Sequence, residues 1–217
     1  MAHVLIATDM SANALNAAAY AIQLFGVEGN NFTLLNAFQT PPALPDQPPP
    51  ANELAARISA EDLEIHARKL LEALPEPTPD LATVSAYGSV DMVVRDLVED
   101  AQGPGIVVMG THSMSGPERM FLGSTTAAMI KSGVLPVLAV PAEARYGEPR
   151  RIVLADDGGP LERSDLAVLL DIARWSRSEV MIVHVVTEEE SPDTASANDA
   201  FDQLLGAIPH TYHTVSG

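Results

Sequence analysis

The sequence predicts an α/β fold: a doubly wound, five-stranded parallel sheet followed by a partial second copy of the same arrangement. Two observations carry this prediction. Short aliphatic runs alternate with longer segments of helical periodicity, which is typical of βαβ units with helices on both faces of a sheet. The same order of elements returns after residue 150, which indicates an internal repeat.

The first copy contains five predicted strands and four predicted helices. The strands are expected at 3–8, 32–38, 81–87, 105–110 and 134–140. The helices are expected at 11–25, 51–74, 89–102 and 124–132. The stretch TPPALPDQPPP at 40–50 is too rich in proline for a regular element, because proline lacks the N–H donor and fixes φ, and it predicts an extended surface insertion.

The last strand of this copy carries Pro136. Proline cannot donate to the ladder of hydrogen bonds, so it belongs at the edge of a sheet. The segment 134–140 is therefore predicted to be an edge strand, available for pairing with another copy of the chain.

The second copy begins with IVLAD at 152–156, which matches VLIAT at 4–8, and Asp157 takes the place of Asp9. A helix, the strand 180–186, a helix at 194–206 and a final extended run follow. No counterpart of the later loop and last strand is found, so the repeat is either truncated or degenerate, and truncation is favoured. The predicted domains are 1–145 and 146–217.

Composition excludes several classes of function. The chain has 12 Lys and Arg against 29 Asp and Glu, a net charge of −17. That balance argues against nucleic-acid and anionic-membrane partners, but not against a small anion held by backbone N–H groups. There is no cysteine. The N-terminus lacks a basic segment before its apolar run, and no apolar run reaches the length of a membrane span, so a cytoplasmic location is expected.

The segment between the fourth and fifth strands is the candidate site. Ligands of open parallel sheets bind beyond the carboxyl ends of the strands, where Asp9 and Gly110 are expected to be neighbours. Gly123 lets the backbone approach an anion, and Ser124 and Thr125 open a helix whose positive end favours phosphate. Structural roles for the same residues stay open as alternatives to ligand binding. Asp9 or Ser11 could cap the first helix, and Ser124 could serve only as the N-cap of its own helix.

The sequence points to binding rather than catalysis. It shows no nucleophile–base pair, no paired carboxylates and no GKS/T phosphate loop, so we expect no enzyme, or at most slow incidental ATP hydrolysis. His210 and His213 resemble a metal pair, but a spacing of three on a strand places them on opposite faces. No metal site is predicted from these residues.

Three segments of the chain resemble the universal stress protein family, tandem-repeat type with an incomplete second repeat. They are VLIATDMS at 4–11, the loop VVMGTHSMSGPERMFLGSTTAAMI at 107–130, and LPVLAVP at 135–141. ATP-binding members carry the pattern Gly, two residues, Gly, nine residues, Gly, then Ser or Thr. Gly110, Gly123 and Ser124 match it with the right spacing, whereas Ser113 occupies the second glycine position.

The resemblance implies the strand order 3-2-1-4-5 of flavodoxin-like, adenine nucleotide alpha hydrolase-like folds, and a homodimer formed through 134–140. It also implies ATP or AMP, with Mg, in a cleft between strands one and four. The aspartate would lie by the adenosine and metal, the end of strand two by the adenine, and the loop by the ribose and phosphates. The implied nucleotide-binding residues are Asp9, Ala37, Met109, Gly110, Ser113, Gly123, Ser124 and Thr125.

Ser113 leaves two functions open. A side chain there constrains backbone angles that glycine would permit and adds bulk beside an anion, although its hydroxyl can donate a hydrogen bond. One function is a stress-response protein that binds an adenine nucleotide. The other is a nucleotide-free interaction or dimerisation module in which the same loop is purely structural.

Overall fold

The computed structural model describes residues 2–39, 52–99, 103–113, 120–121, 123–186 and 194–216. The chain divides into two compact units, Met1–Tyr146 and Gly147–Gly217. The insertion predicted at 40–50 lies outside the described residues. None of the helices in the described part of the chain is long and apolar enough to cross a membrane.

The first unit contains the predicted five-stranded parallel sheet. Its spatial order is β3-β2-β1-β4-β6, which confirms the order 3-2-1-4-5, because the two-residue strand β5 only pairs antiparallel with the end of β4. That pairing extends β4 beyond the predicted end at Gly110. The strands are β1 (His3–Ala7), β2 (Asn31–Phe38), β3 (Leu81–Tyr87), β4 (Ile106–Ser113), β5 (Met120–Phe121) and β6 (Val137–Pro141).

Helices cover both faces of this sheet. The first two pack together on one face, where the buried alanines of the first helix let its backbone approach the strands closely. The last two pack on the other face over a core that includes Leu5, Leu35, Val107 and Met129. The helices are α1 (Ala12–Phe25), α2 (Asn52–Ala73), α3 (Val90–Val98) and α4 (Ser124–Ser132), so α3 ends before the predicted residue 102.

The interpretation of Pro136 as an interior residue of the last strand is wrong by one position. The strand β6 begins at Val137, and the carbonyl oxygen of Pro136 accepts a hydrogen bond from the N–H of Val107 at 3.0 Å. A proline directly before a strand contributes its carbonyl without needing an N–H donor. Among the described strands, β6 pairs in parallel only with β4, so it lies at the edge of the sheet.

The second unit repeats the first part of this arrangement. Its three strands form a parallel sheet in the order β7-β8-β9. Two helices pack on it over a core that includes Leu170, Ile182, Phe201 and Leu205. The elements are β7 (Arg151–Asp156), α5 (Ala167–Ser176), β8 (Glu179–Val186), α6 (Thr194–Leu205) and β9 (His210–Ser216).

Candidate functional site

A cavity of about 270 Å³ lies at the carboxyl ends of β1, β2 and β4. The predicted residues that line it are Asp9, Ala37, Met109, Gly110, Gly123, Ser124 and Thr125. Ser113 ends β4, and its side chain lies outside the described part of the structure. The sequence analysis did not assign the other polar wall residues, which are Thr8, Ser11, Asn13, Asn36 and Thr126.

The turn after β1 is held by its own side chains. Met10 adopts a left-handed conformation with φ of 64°, and its N–H donates to Oγ1 of Thr8 at 2.9 Å. The N–H of Ser11 donates to Oδ1 of Asp9 at 3.0 Å, and Oγ of Ser11 accepts from the N–H of Ala14 at 3.2 Å. Ser11 is thus the N-cap of α1. A left-handed non-glycine residue costs roughly 1–3 kcal/mol, which the surrounding hydrogen bonds must offset.

Packing favours glycine at position 110 independently of any ligand. A Cβ atom at this position would lie 3.0 Å from the carbonyl oxygen of Asn13, 3.1 Å from its carbonyl carbon and 3.3 Å from the nitrogen of Ala14. These are backbone atoms of the first turn of α1, which passes directly over the end of β4. A glycine here is therefore explained without a bound phosphate.

The beginning of α4 differs from one of the sequence interpretations. Gly123 is the N-cap, with φ of −55° and ψ of 153°, and Ser124 is the first helical residue rather than the cap. No side chain caps this end of the helix. The N–H groups of the first turn therefore retain donor capacity, and the helix dipole adds positive potential. Ser124 and Thr125 are exposed and line the cavity beside these donors.

A polar network connects the strand ends beneath the cavity. The side-chain amide of Asn36 donates to the carbonyl oxygen of Thr8 at 2.8 Å, and its Oδ1 accepts from Oγ of Ser59 at 2.8 Å. Oγ of Ser59 also lies 2.6 Å from Oγ of Ser85. The network joins β1, β2 and β3 to α2. The only signal in the sequence was a polar residue, Asn36, near the end of an otherwise apolar run.

A buried histidine supports the same turn from behind. His66, on α2, is 7% exposed, and its Nε2 lies 3.2 Å from Oγ1 of Thr8. Burial, followed by the charge of Lys69, lowers the pKa of His66, while Asp9 acts in the opposite direction. The sequence analysis did not identify this residue, because nothing local distinguishes it from a surface histidine on an amphipathic helix.

The second unit reproduces the turn after its own first strand. The N–H of Gly158, with φ of 75°, donates to Oδ1 of Asp156 at 3.1 Å, and the N–H of Gly159 donates to Oδ1 of Asp157 at 2.9 Å. Nδ1 of His184 lies 3.0 Å from the carbonyl oxygen of Asp156. These contacts correspond one by one to those of Met10, Ser11 and Asn36 in the first unit.

The corresponding position of the second unit nevertheless differs in chemistry. Nδ1 of His184 lies 3.3 Å from Oδ2 of Asp156, which also accepts from the hydroxyl of Tyr212 at 3.3 Å. Burial and the Asp156 carboxylate raise the pKa of Tyr212. Among the described residues, this unit has no strand and helix corresponding to β4 and α4. The uncapped helix start of the first unit is therefore not repeated in that part.

The two histidines near the end of the chain make separate contacts. Nε2 of His210 lies 3.0 Å from Oδ1 of Asp202, and Nε2 of His213 lies 3.1 Å from Oγ1 of Thr211. Within the described ranges, no group of three or more His, Asp or Glu residues is arranged to hold a metal ion.

The chain is similar to known proteins over most of its first unit. The model of the Universal stress protein family matches residues 1–141. No curated protein sequence matches the chain.

Three solved structures illustrate the likeness. A universal stress protein from Archaeoglobus fulgidus DSM 4304 has 19% identity and a TM-score of 0.66, over 99% of this chain and 78% of that chain. Universal stress protein UspA from Lactobacillus plantarum has 22% identity and a TM-score of 0.49, over 64% and 97% of the two chains. A universal stress protein in complex with cAMP has 16% identity and a TM-score of 0.42, over 65% and 98%.

At these identities the likeness in structure concerns the fold, and the family assignment comes from the sequence match. That match spans 141 of the 217 residues and includes the sheet, the turn after β1 and the start of α4. The chain belongs to the universal stress protein family.

Proposed function

We propose that the first unit binds an adenine nucleotide, ATP or AMP, in the cavity at the ends of β1, β2 and β4. The observation that carries this proposal is the uncapped N-terminus of α4, which opens into the same cavity as Asp9. Backbone N–H groups at a helix N-terminus bind phosphate without basic side chains, which suits a chain of net charge −17.

The walls of the cavity suit the parts of a nucleotide. The phosphates would accept hydrogen bonds from the first-turn N–H groups of α4 and from the hydroxyls of Ser124 and Thr125. Ala37, Val90 and Met109 form an apolar wall on which a purine can lie. Asp9 is exposed and in position for the ribose or for a phosphate-bound Mg.

We propose a stress-response role based on binding rather than on catalysis, in the cytoplasm and as a homodimer. The edge strand β6 is the proposed dimer contact, as its single described neighbour is β4. Sedimentation equilibrium tests the dimer: twice the chain mass of 23.0 kDa is expected, and a monomer mass at micromolar concentration would rule it out.

A nucleotide-free interaction module is the second candidate, and specific contacts favour it. Gly110 packs against the backbone of Asn13, and Ser11 caps the start of α1. Oδ1 of Asp9 accepts a hydrogen bond from the N–H of Ser11 within the turn. These residue types would serve the fold even without a ligand. Gly123 lines the cavity and its backbone angles are accessible to any residue, so it is the position that separates the two functions.

The experiment is calorimetric titration of the full chain with Mg-ATP and with AMP, after testing denatured protein for co-purified nucleotide. Gly123→Val is the test variant. Its backbone angles are accessible to any residue, so the added side chain obstructs the cavity at a helix-capping cost of about 1 kcal/mol. Gly105→Ala, where a Cβ would meet open space, is the matched control.

We expect wild type and Gly105→Ala to bind nucleotide, and Gly123→Val to lose at least about tenfold in affinity while keeping its circular dichroism spectrum. A tenfold loss corresponds to about 1.4 kcal/mol of binding free energy. Unchanged affinity in Gly123→Val would refute the site. Wild-type protein that is empty and takes up neither nucleotide would favour the interaction module.

A further inference from the structure

A second cavity, of about 520 Å³, lies in the second unit between the ends of α5 and α6 and the start of β9. This volume is within the range of roughly 300–1,000 Å³ that small-molecule sites occupy. Three arginines line it, namely Arg163, Arg174 and Arg177. All of its lining residues belong to the second unit, so the cavity is separate from the proposed nucleotide site.

The arginines are concentrated against the charge of their surroundings. Residues 147–217 contain five Lys and Arg against thirteen Asp and Glu. Three of those five basic residues are at this one cavity. Its rim is thus a positive region on a unit that is otherwise strongly acidic, and it favours an anion over a cation.

The contacts of these arginines leave donors available. Nη1 of Arg163 donates to the carbonyl oxygen of Leu204 at 2.6 Å, which ties this side chain to the end of α6. Nη1 of Arg174 pairs with Oδ1 of Asp171 at 3.0 Å in an exposed intrahelical pair, an arrangement that contributes little to stability. Each contact uses a fraction of the five N–H donors of a guanidinium.

The side chain of Arg177 makes the fewest polar contacts of the three within the described residues. It ends α5 in a left-handed conformation with φ of 53°, and its backbone N–H bonds to the carbonyl oxygen of Ala173. Within the described residues, its side chain makes no hydrogen bond or ion pair. Basic side chains often stabilise a helix by interacting with the carbonyl groups at its C-terminus. Of these three arginines, Arg163 makes such a contact, with the carbonyl oxygen of Leu204 near the end of α6.

The floor of the cavity is apolar. Ala173 and Leu205 are each 1% exposed and Ile208 is 7% exposed, so these side chains belong to the core of the unit and are held rigidly. Besides the three arginines, the described lining contains only aliphatic residues and proline. Apart from the arginines, it therefore offers no hydrogen-bonding side chain for a sugar or a base, while the exposed residues Ala207 and Pro209 give an aliphatic chain an apolar surface to contact.

We propose that this cavity binds a small amphipathic carboxylate, such as a medium-chain fatty acid. The carboxylate accepts hydrogen bonds from Arg174 and Arg177 at the rim, where a guanidinium matches its two oxygens. The aliphatic chain covers the exposed Ala207 and Pro209, beside the buried Leu205 and Ile208. None of the residues that line this cavity belongs to the proposed nucleotide site.

The test is calorimetric titration of the full chain with decanoate, kept below its critical micelle concentration, and with decyltrimethylammonium as the probe of opposite charge. The test variant is Arg174→Gln combined with Arg177→Gln; Arg163 is retained because it ties the end of α6. The matched control is Arg151→Gln, an exposed arginine on β7 that does not line the cavity. Circular dichroism checks that all variants fold.

We expect one decanoate site per chain in wild type and in Arg151→Gln, an affinity at least about tenfold weaker in the double variant, and no saturable binding of the cationic probe. Four results would overturn the proposal. They are no saturable decanoate binding, equal loss in Arg151→Gln, full affinity in the double variant, or binding of both probes alike.

Discussion

Replacing Gly110 by alanine separates the two explanations for this glycine. The universal stress protein pattern assigns Gly110 to phosphate binding, whereas the structure places it against the backbone of α1. The substitution Gly110→Ala adds a single methyl group and no charge. We predict that it destabilises the first unit even when no nucleotide is present.

The magnitude follows from the contacts of the added atom. Ordinary van der Waals contact begins near 3.4 Å, and the three nearest atoms would lie at 3.0, 3.1 and 3.3 Å. All three are backbone atoms of a capped helix turn, so α1 or the end of β4 must shift. Overpacking lowers the free energy of unfolding by about 1–3 kcal/mol. Replacing glycine also reduces the conformational entropy of the unfolded chain, which raises the free energy of unfolding by about 0.4–1 kcal/mol. The net loss is about 1.3 kcal/mol at the middle of both ranges and at most about 2.6 kcal/mol, and the middle value corresponds to roughly 3–5 °C in melting temperature.

The two units can be followed separately. Trp175 is the only tryptophan and lies in the second unit, so its fluorescence reports that unit, while far-ultraviolet circular dichroism reports both. We expect Gly110→Ala to lower the midpoint of the circular dichroism transition by more than that of the tryptophan fluorescence transition. Gly105→Ala, in open space directly before β4, is expected to stay within about 0.5 kcal/mol of wild type or to stabilise slightly.

The reasoning would be refuted by a Gly110→Ala variant that melts together with wild type in the absence of ligand. If that variant also loses nucleotide binding, Gly110 is explained by the ligand. If it is destabilised and binds nucleotide normally at low temperature, the glycine serves packing alone. Loss of stability in Gly105→Ala to the same extent would show a general effect on β4 rather than the contact with Asn13.

Two further predictions concern residues behind the cavity. Because burial and Lys69 lower the pKa of His66 below 6.5, the folded chain binds fewer protons here than the unfolded chain. Its contribution to stability is present above pH 6.5 and is lost as the pH falls from there through the lowered pKa. His66→Gln should therefore flatten the dependence of the urea midpoint on pH between about pH 7 and about pH 5; an unchanged slope would contradict this origin. Ser59→Ala removes one partner from Asn36 and one from Ser85, at a cost of about 1–3 kcal/mol in urea unfolding. A variant as stable as wild type would show that the network does not hold the strand ends together.

The order of elements was predictable because its causes are local. The aliphatic run of β1 and the alanine-rich pattern of α1 are each legible within a few residues, and their alternation leaves few topologies. The same holds for the turn at Asp9 and the start of α4, which lie at element boundaries. The predicted site residues line one cavity for this reason. Ser113 remains a prediction, since its side chain is not described.

The support of the site was not predictable in this way. Asn36 and Ser59 are 23 positions apart, and Thr8 and His66 are 58 positions apart. Their contacts exist only because α2 packs on β1–β3, and no periodicity marks which polar residue of a long amphipathic helix will be buried. The second cavity likewise joins Arg163 to the ends of two helices.

By itself, the sequence determined that this chain has a five-stranded parallel sheet with the start of a helix and Asp9 at one cavity, because apolar periodicity and turn chemistry act over short stretches. Only the tertiary structure decided that Gly110 lies against the backbone of α1, that His66 and Ser59 contact residues at the strand ends, and that three arginines line one cavity. These properties depend on distances between residues far apart in the chain, which become defined only when the helices pack on the sheet.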